Sequence, residues 1–357
     1  MTERLDARAL NRATLARQFL LERTGASVLD VVGRLCGLQA QEPQEPFVGL
    51  WSRVSGFDPA ELSRLLEQRA VVRLHLMRRT VHLVTAGDAW DWRPRHQALL
   101  RQRILGVYGR DLAGLDLDEL AAQARALLSD GRPRSLGDVG RELAGRHPDR
   151  APRVLGEAVV AALVPAVQLP PRGTWGSTAG ARYLTLSQWL SRDAAPEPPD
   201  GADPVGEDLV RRYLGAFGPA ASADLRAWCG LAGLPRAVAA VRDELVSFRD
   251  DRGRELLDLP DAPRPGPDAP APVRFLPAFD NAILGYHDRS RIIDHDHRGL
   301  SVAGARVVLV DGRVAATWTG GAGGVDVTPL RPFTRAEHAA VAEEADHLAT
   351  FIAPPGN

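Results

Sequence analysis

Apolar residues recur along the chain at helical and strand spacings, in an order that repeats. In the first stretch, residues 28–35 carry helical periodicity, with Ser27 and Asp30 spaced like a helix start, and Asp58 begins a further helix. Residues 71–84 (VVRLHLMRRTVHLV) then alternate apolar and polar side chains, which predicts a two-stranded ribbon. The first unit is therefore expected to consist of helices followed by a ribbon.

The same order of elements is predicted twice more. The second unit has helices at 117–128, from 135 onward and at 151–164, with a ribbon over 167–189; the third has helices at 209–217, 222–229 and 234–245, with a ribbon over 247–259. Helices followed by a ribbon are typical of winged-helix modules. Farther along, residues 273–318 are predicted to be strand-rich, residues 320–324 (GGAGG) to be a hairpin connection, and residues 334–352 to form an amphipathic helix.

These patterns predict an α+β fold: three tandem winged-helix modules, then a C-terminal β-rich region and a closing helix. Two Pro-rich polar stretches, residues 192–204 and 260–272, are predicted to be linkers. The predicted boundaries are 1–95 for module 1, 96–191 for module 2, 205–260 for module 3 and 272–357 for the C-terminal region.

Composition narrows the class of protein. The 357 residues are 45% hydrophobic and 25% charged, as in ordinary globular proteins. No apolar run reaches the roughly 18 residues of a membrane span, and the first residues (MTER) lack the pattern of a secretory signal. Cys36 and Cys229 are too few for a disulfide framework or a four-thiolate zinc site. A cytoplasmic protein without membrane contact is expected.

Charge and residue choice exclude several mechanisms. The formal net charge is -1, so any contact with nucleic acid must come from local basic patches. All 44 basic residues are arginine. Without lysine, the chain cannot form a lysine Schiff base, a pyridoxal phosphate linkage or a Walker-type phosphate loop. Arginine instead offers a planar, permanently charged fork that suits phosphates and base edges.

The most informative segment is GLQAQEP, residues 37–43, at the predicted end of an apolar helix. It places two amides, Gln39 and Gln41, around one small apolar residue. Amides have no useful pKa, so neither can be a general base, and any catalytic role must be positional and electrostatic. The alternative is that both are ordinary solvent-facing side chains.

Three other segments accompany this triplet: residues 76–84 (LMRRTVHLV), 277–281 (PAFDN) and 288–291 (DRSR). Together, and in this order, they resemble the winged-helix DNA glycosylases of the AlkZ and YcaQ type over nearly the whole chain. The resemblance implies excision of N-alkylated purines, including the unhooking of DNA interstrand crosslinks, by cleavage of the N-glycosidic bond. It also implies that Gln39 and Gln41 are the catalytic pair. The amide at Gln41 groups the chain with the AlkZ branch, since the YcaQ branch has a carboxylate there.

The weakness of an amide site predicts its substrates. Purines alkylated at N7 or N3 are cationic and leave as neutral bases without protonation by the enzyme, whereas neutral damaged bases should not react. The absence of lysine predicts a monofunctional enzyme that leaves an intact abasic site, although an N-terminal amine could still cleave the strand. No cofactor and no obligate protein partner are expected. The expected partner is double-stranded DNA carrying alkylated or crosslinked purines, which would make the cytoplasmic protein nucleoid-associated when bound.

Crosslinked or bulky lesions cannot rotate fully into a tight pocket, so we expect an open channel between modules. The side chains expected to line it are Arg78, Arg79, Thr80, His82, Arg289 and Arg291. The alternative is a solvated ribbon edge, and for His82 a packing role, because phosphate contacts and edge-protecting charges look alike in sequence.

Other signals carry less weight. His295 and His297 would share one strand face, but no third ligand stands at a characteristic spacing, so no metal is expected. Glu42 and Glu45 could supply a base, yet solvated loop carboxylates are the expected role. A non-catalytic winged-helix DNA-binding protein, such as a regulator or damage-binding factor, is the alternative function. A protein-interaction scaffold would fit if the modules lack a basic concave face.

Overall fold

The computed structural model describes residues 3–193, 203–232, 234–321 and 324–353. Helices and antiparallel sheets alternate along these residues. The first part of the chain contains helices α1 (Ala7–Arg17), α2 (Val28–Arg34), α3 (Glu45–Trp51), α4 (Pro59–Glu67), α5 (Ala86–Arg95) and α6 (Gln97–Tyr108), with strands β1 (Leu38–Gln39), β2 (Val71–His75) and β3 (Val81–Thr85). The ribbon predicted over residues 71–84 is therefore confirmed as β2 and β3.

The predicted order of elements recurs in the next two stretches. The second contains α7 (Leu117–Leu128), α8 (Leu136–Ala144), α9 (Pro152–Ala158), a π-helical turn (Val159–Leu163), β4 (Ala166–Gln168), β5 (Tyr183–Thr185) and α10 (Leu186–Leu190). The third contains α11 (Pro204–Phe217), α12 (Ser222–Cys229), α13 (Leu234–Ala240), β6 (Val246–Arg249) and β7 (Glu255–Asp258). Within the predicted linker over 192–204, residues 194–202 lie outside the described residues.

The C-terminal part is built on a four-stranded sheet. Its elements are β8 (Arg274–Leu276), α14 (Asn281–Leu284), α15 (Arg298–Ala303), β9 (Val307–Val310), β10 (Arg313–Gly321), β11 (Gly324–Pro329) and α16 (Arg335–Ile352), with the strand order β11-β10-β9-β8. Strands β10 and β11 flank the predicted glycine connection, of which residues 322 and 323 lie outside the described part. The closing helix predicted over 334–352 is confirmed.

Three independent modules would require three separate ribbons. The ribbons of the first two units are joined instead. They join into one sheet of order β1-β3-β2-β4-β5, in which Arg73 lies opposite Gln168 and Leu74 lies opposite Val167. An isolated two-stranded ribbon leaves unpaired backbone groups on both outer edges. Pairing β2 with β4 satisfies one edge of each ribbon, and the two units share a continuous sheet.

This sheet separates two hydrophobic cores. Leu74 and Val84 belong to the core that contains Trp92 and Trp228, so this face packs against α5 and the third unit. Apolar side chains of the opposite face, among them Val81, belong to the core formed with α2 and α4. The alternating pattern therefore reflects a sheet buried on both faces.

The C-terminal region is anchored to the first unit by buried charge and by aromatic packing. Nη2 of Arg53 donates to Oδ1 of Asp280 at 2.7 Å, and these side chains are 0% and 1% exposed. Phe351 on α16 lies 5.8 Å from Trp51 and 5.1 Å from Trp175 between ring centroids. These contacts place residues 277–281 beside the first unit.

Two expectations about elements were wrong, and helices α5 and α6 were not predicted. The ribbon predicted over 167–189 is short, because residues 169–182 run as a loop before β5. Residues 277–306, expected to be strand-rich, contain turns and short helices instead. Their apolar side chains cover neighbouring elements, which an apolar pattern alone cannot distinguish from strand pairing. Across the described residues, no helix has the combination of length and apolarity that a bilayer crossing needs.

Candidate active site

The two glutamines lie where the chain passes from helix α2 into strand β1. Gly37 has a φ of +82°, in the left-handed region that glycine adopts readily, and it turns the chain after the helix. A Cβ atom there would lie 2.5 Å from Cγ1 of Val84. Gln39 then pairs with His82 on β3, and Gln41 follows the strand. The segment predicted as the end of a helix is thus a short strand bound to the ribbon.

An arginine orients the amide of Gln39. Nη2 of Arg78 donates to Oε1 of Gln39 at 2.8 Å. Since a guanidinium has only donors, it must face the carbonyl end of the amide and not the NH₂ end. Arg78 also donates through Nη1 to the carbonyl oxygen of Trp228, and its backbone is left-handed with a φ of 55°. Burial lowers the pKa of Arg78 to about 10, so the group stays cationic at neutral pH.

Gln41 has a different environment. Its side chain is exposed, whereas Gln39 is only 9% exposed. Oε1 of Gln41 accepts a hydrogen bond of 3.2 Å from the backbone N–H of Val81. This donor again fixes the carbonyl end, but it is neutral. Each carbonyl oxygen keeps a second lone pair. Gln41 can therefore offer its free lone pair to water more readily than Gln39, whose oxygen faces a cation.

A second arginine holds the backbone between the two glutamines. Nη2 of Arg73 donates to the carbonyl oxygen of Ala40 at 2.8 Å. Arg73 is 1% exposed, and burial, followed by the charge of Arg172, lowers its pKa to about 10. The φ of Gly173 is +90°, and a Cβ atom there would lie 2.7 Å from Cδ of Arg73. The loop after β4 therefore closes over this guanidinium and keeps it against the glutamine segment.

Residues of the C-terminal region also contact the ends of the glutamine segment. Nδ2 of Asn281 donates to the carbonyl oxygen of Gly37 at 2.6 Å. The backbone N–H of Ala278 donates to Oε2 of Glu45 at 2.7 Å, and Nε of Arg306 donates to Oε1 of the same carboxylate at 2.9 Å. Residues 277–281, far from the glutamines in sequence, are thus in direct contact with the residues that flank them.

The structure brings some of the expected DNA-contacting side chains together. Arg78, Arg79 and Thr80 form the tip between β2 and β3, where each is partly exposed. Arg289 is also partly exposed and donates to Oγ of Ser301 at 2.6 Å. Its charge contributes, after burial, to lowering the pKa of Arg78. These four side chains remain available for contacts with a ligand.

Two of the expected contacts lie in the interior. His82 is only 1% exposed, because it lies on the face of its strand that points toward the core. This burial lowers the pKa of His82 well below 6.5. Arg291 is 5% exposed; its Nη1 donates to Oγ1 of Thr14 at 3.2 Å, and its guanidinium lies 4.1 Å from the ring centroid of Tyr286. Neither side chain reaches the surface, so the expected channel lining is corrected to exclude both.

The structure also describes the surroundings of the candidate metal ligands and of the candidate bases. His295 and His297 lie in a 3₁₀ turn, so they do not share a strand face as expected. Among the described residues, no group of three His, Cys, Asp or Glu side chains is arranged to hold a metal ion. Glu45 was expected in solvent but is 4% exposed and paired with Arg306, whereas Glu42 is exposed. Glu45 is therefore a structural group.

Sequence reasoning missed further arginines near the tip. Arg95, Arg103 and Arg226 line one cleft together with Arg78 and Arg79. They come from α5, α6 and α12, three helices that meet only in the folded chain. The helical spacing of the apolar residues Leu100, Ile104 and Tyr108 could have revealed α6, but no local signal pairs it with α12.

The chain is similar to known proteins over most of its length. A family model described as "DNA glycosylase AlkZ-like" matches residues 32–351. A curated protein of Streptomyces sahachiroi named "Interstrand DNA cross-link repair glycosylase" is 28% identical over 378 residues, covering 94% of this chain and 93% of that protein. The structure of Streptomyces sahachiroi DNA glycosylase AlkZ superposes with a TM-score of 0.79 at 24% identity, covering 97% of this chain and 96% of that one. The family model spans most of the chain and includes the glutamine segment, and the chain therefore belongs to the AlkZ-like DNA glycosylase family.

Proposed function

We propose that this chain is a monofunctional DNA glycosylase that hydrolyses the N-glycosidic bond of N7- or N3-alkylated purines and unhooks interstrand crosslinks. The substrate follows from family membership and from the crosslink repair named for the Streptomyces sahachiroi relative. The observation that carries the proposal is the pair of glutamine amides, each oriented through its carbonyl by a protein donor. Gln39 and Gln41 are the proposed catalytic residues.

In the proposed reaction, water attacks the anomeric carbon of the sugar while the bond to the purine breaks. The electron pair of that bond neutralises the cationic base, so the leaving group needs no proton. The free lone pair of the Gln41 carbonyl would position the water, and the proton released from water passes to solvent because an amide cannot keep it. Gln39 would help to define the shape and charge of the site, and Arg78 would fix the orientation of the Gln39 amide.

The proposed DNA contacts are partly exposed groups near this pair. Arg78, Arg79, Thr80 and Arg289 would contact the phosphates near the lesion. The repeated order of helices and ribbon supports three winged-helix units with the boundaries 1–95, 96–191 and 205–260, followed by the C-terminal region over 272–357. The first two share a sheet, so we expect them to act as one rigid body on DNA.

The direct test is base release from a duplex that carries one 7-methylguanine. The wild-type protein should release the base, and Gln41→Ala should slow release by about 100-fold, the scale seen when one oriented polar group is removed from an active site. Gln39→Ala should also slow release. The control is Gln68→Ala, which removes an exposed amide at the end of α4. Binding of the duplex without any base release would favour the non-catalytic alternative.

Substrate selectivity tests the mechanism separately. A duplex with a neutral damaged base should not react, because an amide site cannot protonate the leaving base. Equal rates for the cationic and neutral lesions would contradict a mechanism based on amides. A duplex with an N7-guanine interstrand crosslink should be separated into strands by wild type and not by Gln41→Ala.

Monofunctional action is proposed because the chain contains no lysine. Incubation with DNA containing an abasic site should leave the strand intact, and borohydride should trap no covalent protein–DNA product. Trapping that disappears after blocking the N-terminal amine would assign strand cleavage to that group and overturn the monofunctional proposal.

A further inference from the structure

A large cleft lies next to the tip between β2 and β3. Its volume is about 1630 Å³, which exceeds the roughly 300–1,000 Å³ of ordinary small-molecule pockets. One wall is α6, and the other is formed by α12, residues 230–232 and α13. A cleft of this size fits a segment of polymer better than a single metabolite.

The walls converge at the floor of the cleft beside the candidate active site. A Cβ atom on Gly230 would lie 3.2 Å from Cδ2 of Leu99 and 3.9 Å from the backbone nitrogen of Arg78. Helices α6 and α12 are therefore almost in contact there. Arg78 lines this floor and donates to Gln39. A ligand in the cleft would lie one side chain away from the proposed catalytic pair.

The charges in the cleft have one sign. The charged side chains that line it are five arginines, and no Asp or Glu of the described residues lines it. Arg103 and Arg226 are exposed on opposite walls. Arg95 is partly neutralised by Asp203, at 2.8 Å. This distribution attracts a polyanion and disfavours a cationic ligand.

Much of the remaining lining is apolar. Pro235 and Val238 on α13 line the cleft and are exposed and partly exposed, respectively, and Val107 on α6 is 55% exposed. Helix α13 carries only one basic residue, Arg236, so it is poorly equipped to read the major groove of a duplex through charged donors. Its apolar face is better suited to the flat faces of nucleobases.

Anionic backbone and exposed base faces occur together in unpaired nucleic acid, whereas a duplex hides its base faces in the stack. We propose that this cleft binds a short unpaired DNA strand next to the lesion. The proposal deepens the proposed function and rests on it. Binding the unpaired strand would offset part of the cost of opening base pairs around a crosslinked purine, which cannot be flipped freely.

The test compares two fluorescent duplexes that carry the same 7-methylguanine, one fully paired and one with a few unpaired nucleotides beside the lesion. Wild type should bind the partly unpaired DNA roughly tenfold more tightly, because only an unpaired base can bury its face against the aliphatic side chains of the cleft. Arg103→Ala combined with Arg226→Ala should remove most of this preference. Ala227→Trp, which fills the cleft from α12, should do the same without changing charge. Arg335→Ala, at an exposed position on α16, is the control and should keep the preference.

Equal affinity of wild type for the two DNAs would overturn the inference. So would equal losses for both DNAs in the cleft variants, because those would indicate a general phosphate surface. Thermal unfolding identifies a variant that fails to fold, and the two types of substitution make independent tests. Base release by wild type from the paired duplex is measured in parallel. Release without a preference for unpaired DNA refutes the cleft alone, whereas binding preference without release refutes the proposed function alone.

Discussion

Replacing Arg78 with methionine should reveal whether this arginine positions the proposed catalytic amide of Gln39 or only contacts DNA. Methionine keeps an unbranched side chain but removes both donors, so Oε1 of Gln39 and the carbonyl of Trp228 lose their partner. A hydrogen bond to a charged group contributes about 1.5–3 kcal/mol. Because about 1.36 kcal/mol corresponds to a factor of ten in rate, Arg78→Met should slow base release roughly 10- to 150-fold.

The assay is single-turnover release of 7-methylguanine at saturating enzyme, where weaker DNA binding does not lower the observed rate. The matched control is Arg79→Met, since Arg79 adjoins Arg78 at the tip and lines the same cleft. This control should weaken binding while its saturated rate stays within about twofold of wild type. A folded Arg78→Met protein that reaches the wild-type rate at saturation would refute the positioning role and leave a phosphate contact. Thermal unfolding of both variants supplies the check on folding.

Three further predictions concern stability and can be measured by urea unfolding. Gly37→Ala should lower the free energy of unfolding by about 1–3 kcal/mol or more, since its left-handed backbone resists a Cβ atom; Gly25→Ala, where a Cβ atom would meet nothing within 4 Å, should change it little. Arg53→Met should lower it by about 3–5 kcal/mol by leaving Asp280 buried without its cation, and adding Asp280→Asn should cause a much smaller further loss. Burial lowers the pKa of His96 from 6.5 to about 4. Between these two pH values, the unfolded chain therefore binds more protons than the folded protein does. The free energy of unfolding should therefore fall as the pH decreases through this range, and His96→Phe should make the fall shallower.

Local signals in the sequence predicted many helix ends correctly because neighbouring residues determine them. Ser135 caps α8 by accepting from the backbone N–H of Asp138, whose carboxylate accepts in return from the backbone of Ser135. Thr334 and Glu337 form the same reciprocal pair at the start of α16. Both partners of such a cap lie within one turn, so the spacing alone reveals it.

Long-range contacts explain the failures. The pairing of β2 with β4 joins Arg73 to Gln168 across 95 positions of sequence, and nothing in either ribbon specifies its partner. His82 and Arg78 lie four residues apart in the same predicted ribbon, yet one faces the core and the other reaches both Gln39 and the cleft. Alternation predicts that two faces exist. Alternation does not show that both faces are buried, one of them against α5 and the third unit.

The surroundings of the two glutamines also give a physical reason to expect that a carboxylate could replace Gln41 more readily than Gln39. A carboxylate in place of Gln39 would accept directly from Arg78, and in this largely buried position the ion pair would hold its charge away from water. Gln41 is exposed and accepts from the neutral N–H of Val81. A carboxylate there would keep a free oxygen facing solvent and could accept a proton from attacking water. The two amides are thus alike in sequence but differ in the fold, because the carbonyl oxygen of Gln39 accepts a hydrogen bond from a cationic arginine and that of Gln41 accepts one from a neutral backbone N–H.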